Sequence, residues 1–265
     1  MATEPEKAQS SSNGKALFFK DNLPGAAQFY IALVILLGVP VLLVSIYHSL
    51  IHQNLNWLYL AALTAVASLF AVRIPILDVK SQSLVISVSD VFVFVALLVF
   101  CPQVATTIAG VEVLIAGLRC PIKRLYKRLF NFAELPLATF LTGSFFYWMR
   151  GTPVALGADQ SSDFGILILQ VLAAGLAYFL LNTGVVAMAL ALVSRGSFFI
   201  IWKRNFASLS LANLVNEATA VIIFAFLKPV NVVIVATIIP LALVVYYVRK
   251  ISIYRTHQAG NAQVG

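Results

Sequence analysis

The sequence predicts an all-α, polytopic membrane protein with about eight transmembrane helices and both termini in the cytoplasm. Three observations predict it. Of the 265 residues, 61% are hydrophobic and only 11% charged, whereas ordinary soluble domains carry roughly 25% charged residues. The apolar residues fall into runs near the ~20 residues that a helix needs to cross the hydrocarbon core. The basic residues lie between those runs, sixteen of the eighteen in segments assigned to the cytoplasm and only Arg150 and Lys228 outside, as the positive-inside rule requires. This distribution also argues against reading the net charge of +8 as a nucleic-acid surface. The expected partner is the lipid bilayer, and no nucleic acid is expected.

Residues 1–26 read as a cytoplasmic tail, polar and mostly disordered, rich in Ser, Glu and Lys. It is too long for a signal peptide, and no small-residue cleavage site follows the first span, so no processing is expected. A single transmembrane domain over 27–250 then holds spans at 27–50, 55–72, 84–101, 103–118, 130–149, 164–193, 206–227 and 229–248, and 251–265 is a short cytoplasmic tail. Gly38 and Pro40 should bend the first span. The stretch SQSLVISVSD alternates apolar and polar residues before span three, so the chain can enter the membrane extended there. Ser87 and Asp90 have capping-box-like spacing, and a helix starting as late as Asp90 would be too short to span alone. Pro102 in FCPQ and Pro229 in LKPV each stop one helix and start the next, making antiparallel hairpins of spans three and four and of seven and eight. Span six is long enough for two, but its midpoint YFLLNTGVV has no charge or turn signal. Splitting it would carry Arg249, Lys250 and Arg255 outside, so one tilted or kinked helix is expected. SFFIIWKR at 197–204 reads as a short interfacial helix. Trp57 and Trp148 mark outer boundaries, and Trp202 with Tyr246 and Tyr247 inner ones. Cys101 and Cys120 lie at opposite ends of span four, roughly 25 Å apart, too far to pair.

Four acids fall within or at the mouth of spans, Asp90, Glu112, Glu134 and Glu217, and no Lys or Arg lies at comparable depth. Ionisable groups inside a membrane normally face the bundle interior and mark functional sites. Helical spacing places Glu112 on a small-residue face with Ala105, Ala109 and Ala116, which permits close helix approach. Asn131, Glu134, Ala138 and Thr142 repeat the pattern in span five, and Gly175, Tyr178, Asn182, Val185 and Ala189 in span six. Asn213, Asn216, Glu217 and Ala220 form a polar patch in span seven. Counting rise per residue puts Glu112, Asn182 and the Asn213–Glu217 patch in one middle layer, with Asp90, Asn131 and Glu134 nearer the cytoplasm. Without a basic partner, Glu112 must be neutral, hydrogen-bonded to an amide, or facing a bound cation, amine or water. The candidate ligand- or proton-binding residues are therefore Asp90, Glu112, Asn131, Glu134, Asn182, Asn213, Asn216 and Glu217. His48 and His52 have a metal-compatible i, i+4 spacing but no third ligand, so interfacial packing is the reading and no metal or other cofactor is expected.

Three stretches carry a family resemblance: SVSDVFVFVALLVFCP (87–102), RLFNFAELPLATFLTGSFFY (128–147) and YFLLNTGVVAMALAL (178–192). Through Ser89–Asp90, the Pro102 turn, the basic loop followed by Phe130–Asn131, and Leu181–Asn182, the region over about 55–227 resembles a MASE-like membrane sensor. Such multi-spanning regions precede GGDEF or HD-type phosphodiesterase domains in bacterial cyclic-di-GMP signalling proteins. The resemblance implies a sensory or membrane-anchoring module of the inner membrane, here without an output domain. It carries no catalytic residues over, since no segment matches the motifs of those enzymes.

Two functions follow as expectations. The first is a ligand-sensing or scaffold module that signals through a separate cytoplasmic partner at the basic loop 119–129. The second is a small-molecule or cation transporter, or its substrate-binding membrane component, with that loop meeting an ATPase partner. An enzyme is not expected, because no span holds a central His, a G-x-S-x-G or a metalloprotease motif.

Overall fold

The computed structural model describes residues 23–69, 72–75, 83–86, 89–119, 124–150, 164–206 and, apart from 217 and 221, 215–224. Seven helices and one hairpin carry the described chain: α1 (Gly25–His52), α2 (Trp57–Ser68), β1 (Val72–Pro75), β2 (Ser83–Ile86), α3 (Asp90–Val99), α4 (Pro102–Arg119), α5 (Leu125–Arg150), α6 (Phe164–Ser194) and α7 (Phe198–Asn205). Residues 215–216, 218–220 and 222–224 are also helical. Three helices, α1, α5 and α6, are long and apolar enough to cross a membrane, and α2, α3 and α4 are shorter apolar helices. Span eight and both termini lie outside the described residues, as does most of span seven.

The helical class holds, with one local departure. Residues 83–86 are a strand, paired antiparallel with 72–75 so that Val72 faces Ile86 and Pro75 faces Ser83. Span two therefore ends as a helix at Ser68 rather than reaching residue 72, and span three becomes a strand followed by a ten-residue helix. The alternation of SLVI suits a pleated strand, and β-branched residues favour it. Helix α3 begins at Asp90, where the late-start reading placed it; Ser87 lies outside the described residues. At ~1.5 Å per residue α3 is about 15 Å long, half the thickness of a hydrocarbon core. Span six is one helix over its whole length, and the short interfacial helix lies at 198–205.

Turn chemistry explains the junctions. Pro102 opens α4, where its missing N–H costs nothing, and the Ala105 N–H bonds the Cys101 carbonyl at 3.1 Å. At the other side of that turn, the Tyr147 hydroxyl donates to the carbonyls of Phe100 (2.9 Å) and Leu97 (3.2 Å), the open C-terminal carbonyls of α3. Helix α6 ends with Arg195 in the left-handed region at φ 54° and the Gly196 N–H reaching back to Ala191 at 3.1 Å, a Schellman-type close. Helix α7 then docks back on α6, with the Trp202 indole donating to Thr183 Oγ1 at 2.9 Å.

Contacts fix the directions of the long elements. Tyr30, near the start of α1, bonds the Val185 carbonyl far along α6, and Gln170, near the start of α6, bonds Met149 at the end of α5. Ser49 near the end of α1 meets Thr107 near the start of α4 at 3.0 Å. Helix α1 thus runs antiparallel to α4 and α6, and α6 antiparallel to α5. Helix α5 is the hub, packing on α1, α4 and α6. Helix α3 is enclosed, with every residue from Val91 to Leu98 buried. It shares its core with Ala105 and Ile108 of α4, Phe146 of α5, Val171 and Tyr178 of α6, and Ile223 and Phe224. The outward faces of α1, α2, α5 and α6 present Leu36, Leu43, Tyr59, Trp148, Leu169 and other large apolar side chains, an arrangement suited to lipid contact.

Candidate functional site

The site is built where α3 begins. A helix that starts inside the bundle brings its first turn, Ser89 and Asp90, to the level of residues half-way along its neighbours. Ser89 is fully buried and occupies the cap position in a helical conformation, so its side chain makes no capping bond. It turns instead to α4, where its hydroxyl donates to the Glu112 carboxylate. Asp90 Oδ1 accepts a hydrogen bond from the Tyr178 hydroxyl of α6 at 2.9 Å, and the Tyr178 ring meets Phe94 edge-on with centroids 5.3 Å apart. Glu134, from α5, lies within electrostatic reach of Asp90 and of Tyr30 on α1. Five elements thus contribute to one polar centre.

Burial is nearly complete. Glu112 is 6% exposed and Glu134 5%, and Glu112 Oε2 and Glu134 Oε1 are both buried without a hydrogen-bond partner. Buried polar atoms are normally satisfied, so two orphaned carboxylate oxygens beside a third acid call for an explanation. Acid side chains can meet here because small residues let the helices close. Ala105 and Ala109, on the Glu112 face, are fully buried, as are Ala133 beside Glu134 and Ala138 one turn on. Gly38 of α1 sits directly against the Ala133 backbone.

The predicted candidates divide. Asp90, Glu112 and Glu134 come together, which corrects the layering that set Glu112 apart from the other two. Rise per residue from the apolar ends assumes straight, full-length spans, whereas α3 starts level with the middles of its neighbours. Asn131 is exposed, a correction to its place on the inward face. Three residues turn a helix by about 300°, so Asn131 and Glu134 differ by ~60°, and the buried stripe of α5 passes through Phe130 instead. Asn182 is half-buried one turn along α6 from Tyr178. Asn216 is buried at 3% exposure in the helical stretch that joins the core through Ala220. Asn213 and Glu217 lie outside the described residues.

Three members of the centre were not among the candidates, Tyr30, Tyr178 and Ser89. Tyr178 lay on the predicted polar stripe of α6, and the signal was available: a buried Tyr hydroxyl needs a partner. Ser89 carries no such signal, since a Ser next to a helix start reads as a cap.

A second polar seam joins α1, α2 and α4. Ser49 bonds Thr107, and the Trp57 indole donates to the Ser49 carbonyl at 3.2 Å. The His48 and His52 rings lie nearby, tilted at 44° to each other with centroids 5.0 Å apart. Among the described residues no group of three His, Cys, Asp or Glu side chains is placed to hold a metal ion. Of the basic loop, Arg124 and Arg128 are exposed at the start of α5, and 120–123 lie outside the described residues. No family model, curated protein or solved structure matches the chain.

Proposed function

We propose that the chain is a multi-pass protein of the bacterial inner membrane that senses a proton or small ligand at the Asp90–Glu112–Glu134 centre. Its response reaches a separate cytoplasmic partner through the basic segment 119–129. The observation that carries the reading is the pair of buried, unpartnered carboxylate oxygens on Glu112 and Glu134 beside Asp90. Groups that serve only to join helices find partners in each other; these leave acceptors open. The remaining spans of the eight-span parse, the cytoplasmic termini and the likeness to MASE-like sensor regions belong to the same proposal.

A second reading, a cation or proton transporter, is favoured by α3. A broken span whose helix N-terminus points into the bundle at mid-depth is how many secondary transporters build substrate sites. Reconstitution separates the two. With the protein in liposomes holding an interior pH dye, transport predicts an ion-driven flux that Glu112→Gln abolishes. Sensing predicts no flux, but a pH-dependent change in amide exchange at the Leu125–Arg128 end of α5 that Glu112→Gln removes. If the wild-type protein gives neither signal, both readings fail.

A further inference from the structure

The charge of the acidic centre can be assigned from the way its donors are shared. The stretches 25–72, 89–118, 129–149 and 164–194 contain no Lys or Arg, so the basic residues of α4 and α5 stand toward the helix ends, and the charge acting on both glutamates is that of Asp90. Three neighbouring carboxylates without a cation cannot all stay ionised, because each like charge disfavours the next. The donors are unequal. Asp90 receives the Tyr178 hydroxyl and lies in the first turn of α3, where the positive end of the helix dipole favours an anion. Glu112 receives the Ser89 hydroxyl on one oxygen while Oε2 remains bare, and Glu134 keeps Oε1 bare. Both glutamates are more than nine-tenths buried. A bare, buried, ionised oxygen is the costliest state available to a carboxyl group, and a proton removes that cost. The other titratable groups facing the centre are Tyr30 on α1, beside Glu134, and Tyr178 on α6, beside all three acids.

We infer that the centre holds a single negative charge, fixed on Asp90, and one proton on each of Glu112 and Glu134. Asp90 is then the permanent anion that anchors α3 to α6 through Tyr178. The glutamates, one on α4 and one on α5, are the proton-binding groups. The functional meaning of this assignment rests on the reading proposed above; the assignment itself does not.

The test is the infrared band of protonated carboxyl groups in the full chain, held in lipid nanodiscs at pH 7. The wild-type protein should show the band. Glu112→Gln and Glu134→Gln should each remove about half of it and the double variant nearly all, while Asp90→Asn should not abolish it. Absence of the band in the wild-type protein overturns the assignment without any variant, as does a band that survives the double substitution or vanishes with Asp90→Asn. Transfer to D₂O tests the underlying reading separately. Prompt deuterium shift of the band supports a site in exchange with water. A band that stays unshifted for hours defeats the proposed function and leaves the proton assignment standing.

Discussion

Gly38→Ala should destabilise the protein although it improves local helix propensity. A Cβ built on Gly38 lies 2.7 Å from the Ala133 carbonyl carbon and 2.8 Å from the Ala133 Cβ, and closer still to the carbonyl oxygen. Carbon pairs settle at about 3.5–4.0 Å, so α1 would have to withdraw from α5 by roughly 1 Å. The obstacle is backbone, which no rotamer change can move aside. Overpacking of this kind costs about 1–3 kcal/mol, against a gain of about 1 kcal/mol for replacing Gly by Ala inside a helix. The net expectation is a loss of up to about 2 kcal/mol, and of about 1–3 kcal/mol relative to a site where the added methyl is free. Gly184→Ala is the matched control, since nothing lies within 4 Å of its added Cβ, and it should be neutral or gain up to about 1 kcal/mol. Unfolding both variants in mixed micelles, followed by circular dichroism, measures the difference. Ala133→Gly added to Gly38→Ala should rescue only in part, because the carbonyl clash remains. If Gly38→Ala is as stable as Gly184→Ala, the close α1–α5 contact described above is wrong.

Tyr147→Phe removes both hydrogen bonds to the C-terminal carbonyls of α3. It should cost about 1–2 kcal/mol and speed amide exchange in the Phe100–Cys101 turn, which mass spectrometry of exchanged peptides would detect. Asn131→Ala should shift stability by no more than about 0.5 kcal/mol and leave the protonated-carboxyl band unchanged, because its side chain is exposed on α5. A loss of that band would return Asn131 to the site.

Much of the fold was legible because a membrane imposes one dominant rule. Long apolar runs gave α1, α5 and α6 with boundaries close to those observed, and Pro102 gave the start of α4. The single long helix α6 followed from charge placement rather than from hydrophobicity. Span three was the harder case, since an eighteen-residue apolar run satisfies the length rule while hiding a strand and a half-length helix. The alternation in SLVISVS was the local signal for the break, and it is weaker than a run of hydrophobic residues. For the site, helical spacing correctly turned Glu112 and Glu134 inward, because each lies on a face of small residues. It failed for Asn131, where a ~60° offset is enough to leave a wide buried stripe. It also could not find Tyr178 as Asp90's partner, since that contact joins residues 88 positions apart and depends on where α3 starts.

The broken span and the acidic centre account for each other. A continuous helix through span three would carry its N-terminal N–H groups to the headgroups and leave its interior saturated with internal hydrogen bonds. Starting the helix at Asp90 places the positive end of its dipole inside the bundle, beside the acids. Carboxylates without a basic partner would be costly at that depth. Placed together, the two suit each other: the first turn of α3 offers positive potential, and Asp90 offers the negative charge. Glu112 and Glu134 then exceed what one helix end can neutralise, which is why their second oxygens are bare. The enclosed walls of α3 and the two Tyr147 bonds at its far end hold that start in place. Lengthening α3 toward the N-terminus by replacing the strand residues 83–86 with strong helix formers should therefore displace Asp90 from Tyr178 and scatter the centre. Its signature would be a shift in frequency of the protonated-carboxyl band, which reports the changed surroundings of Glu112 and Glu134, in a protein that still folds.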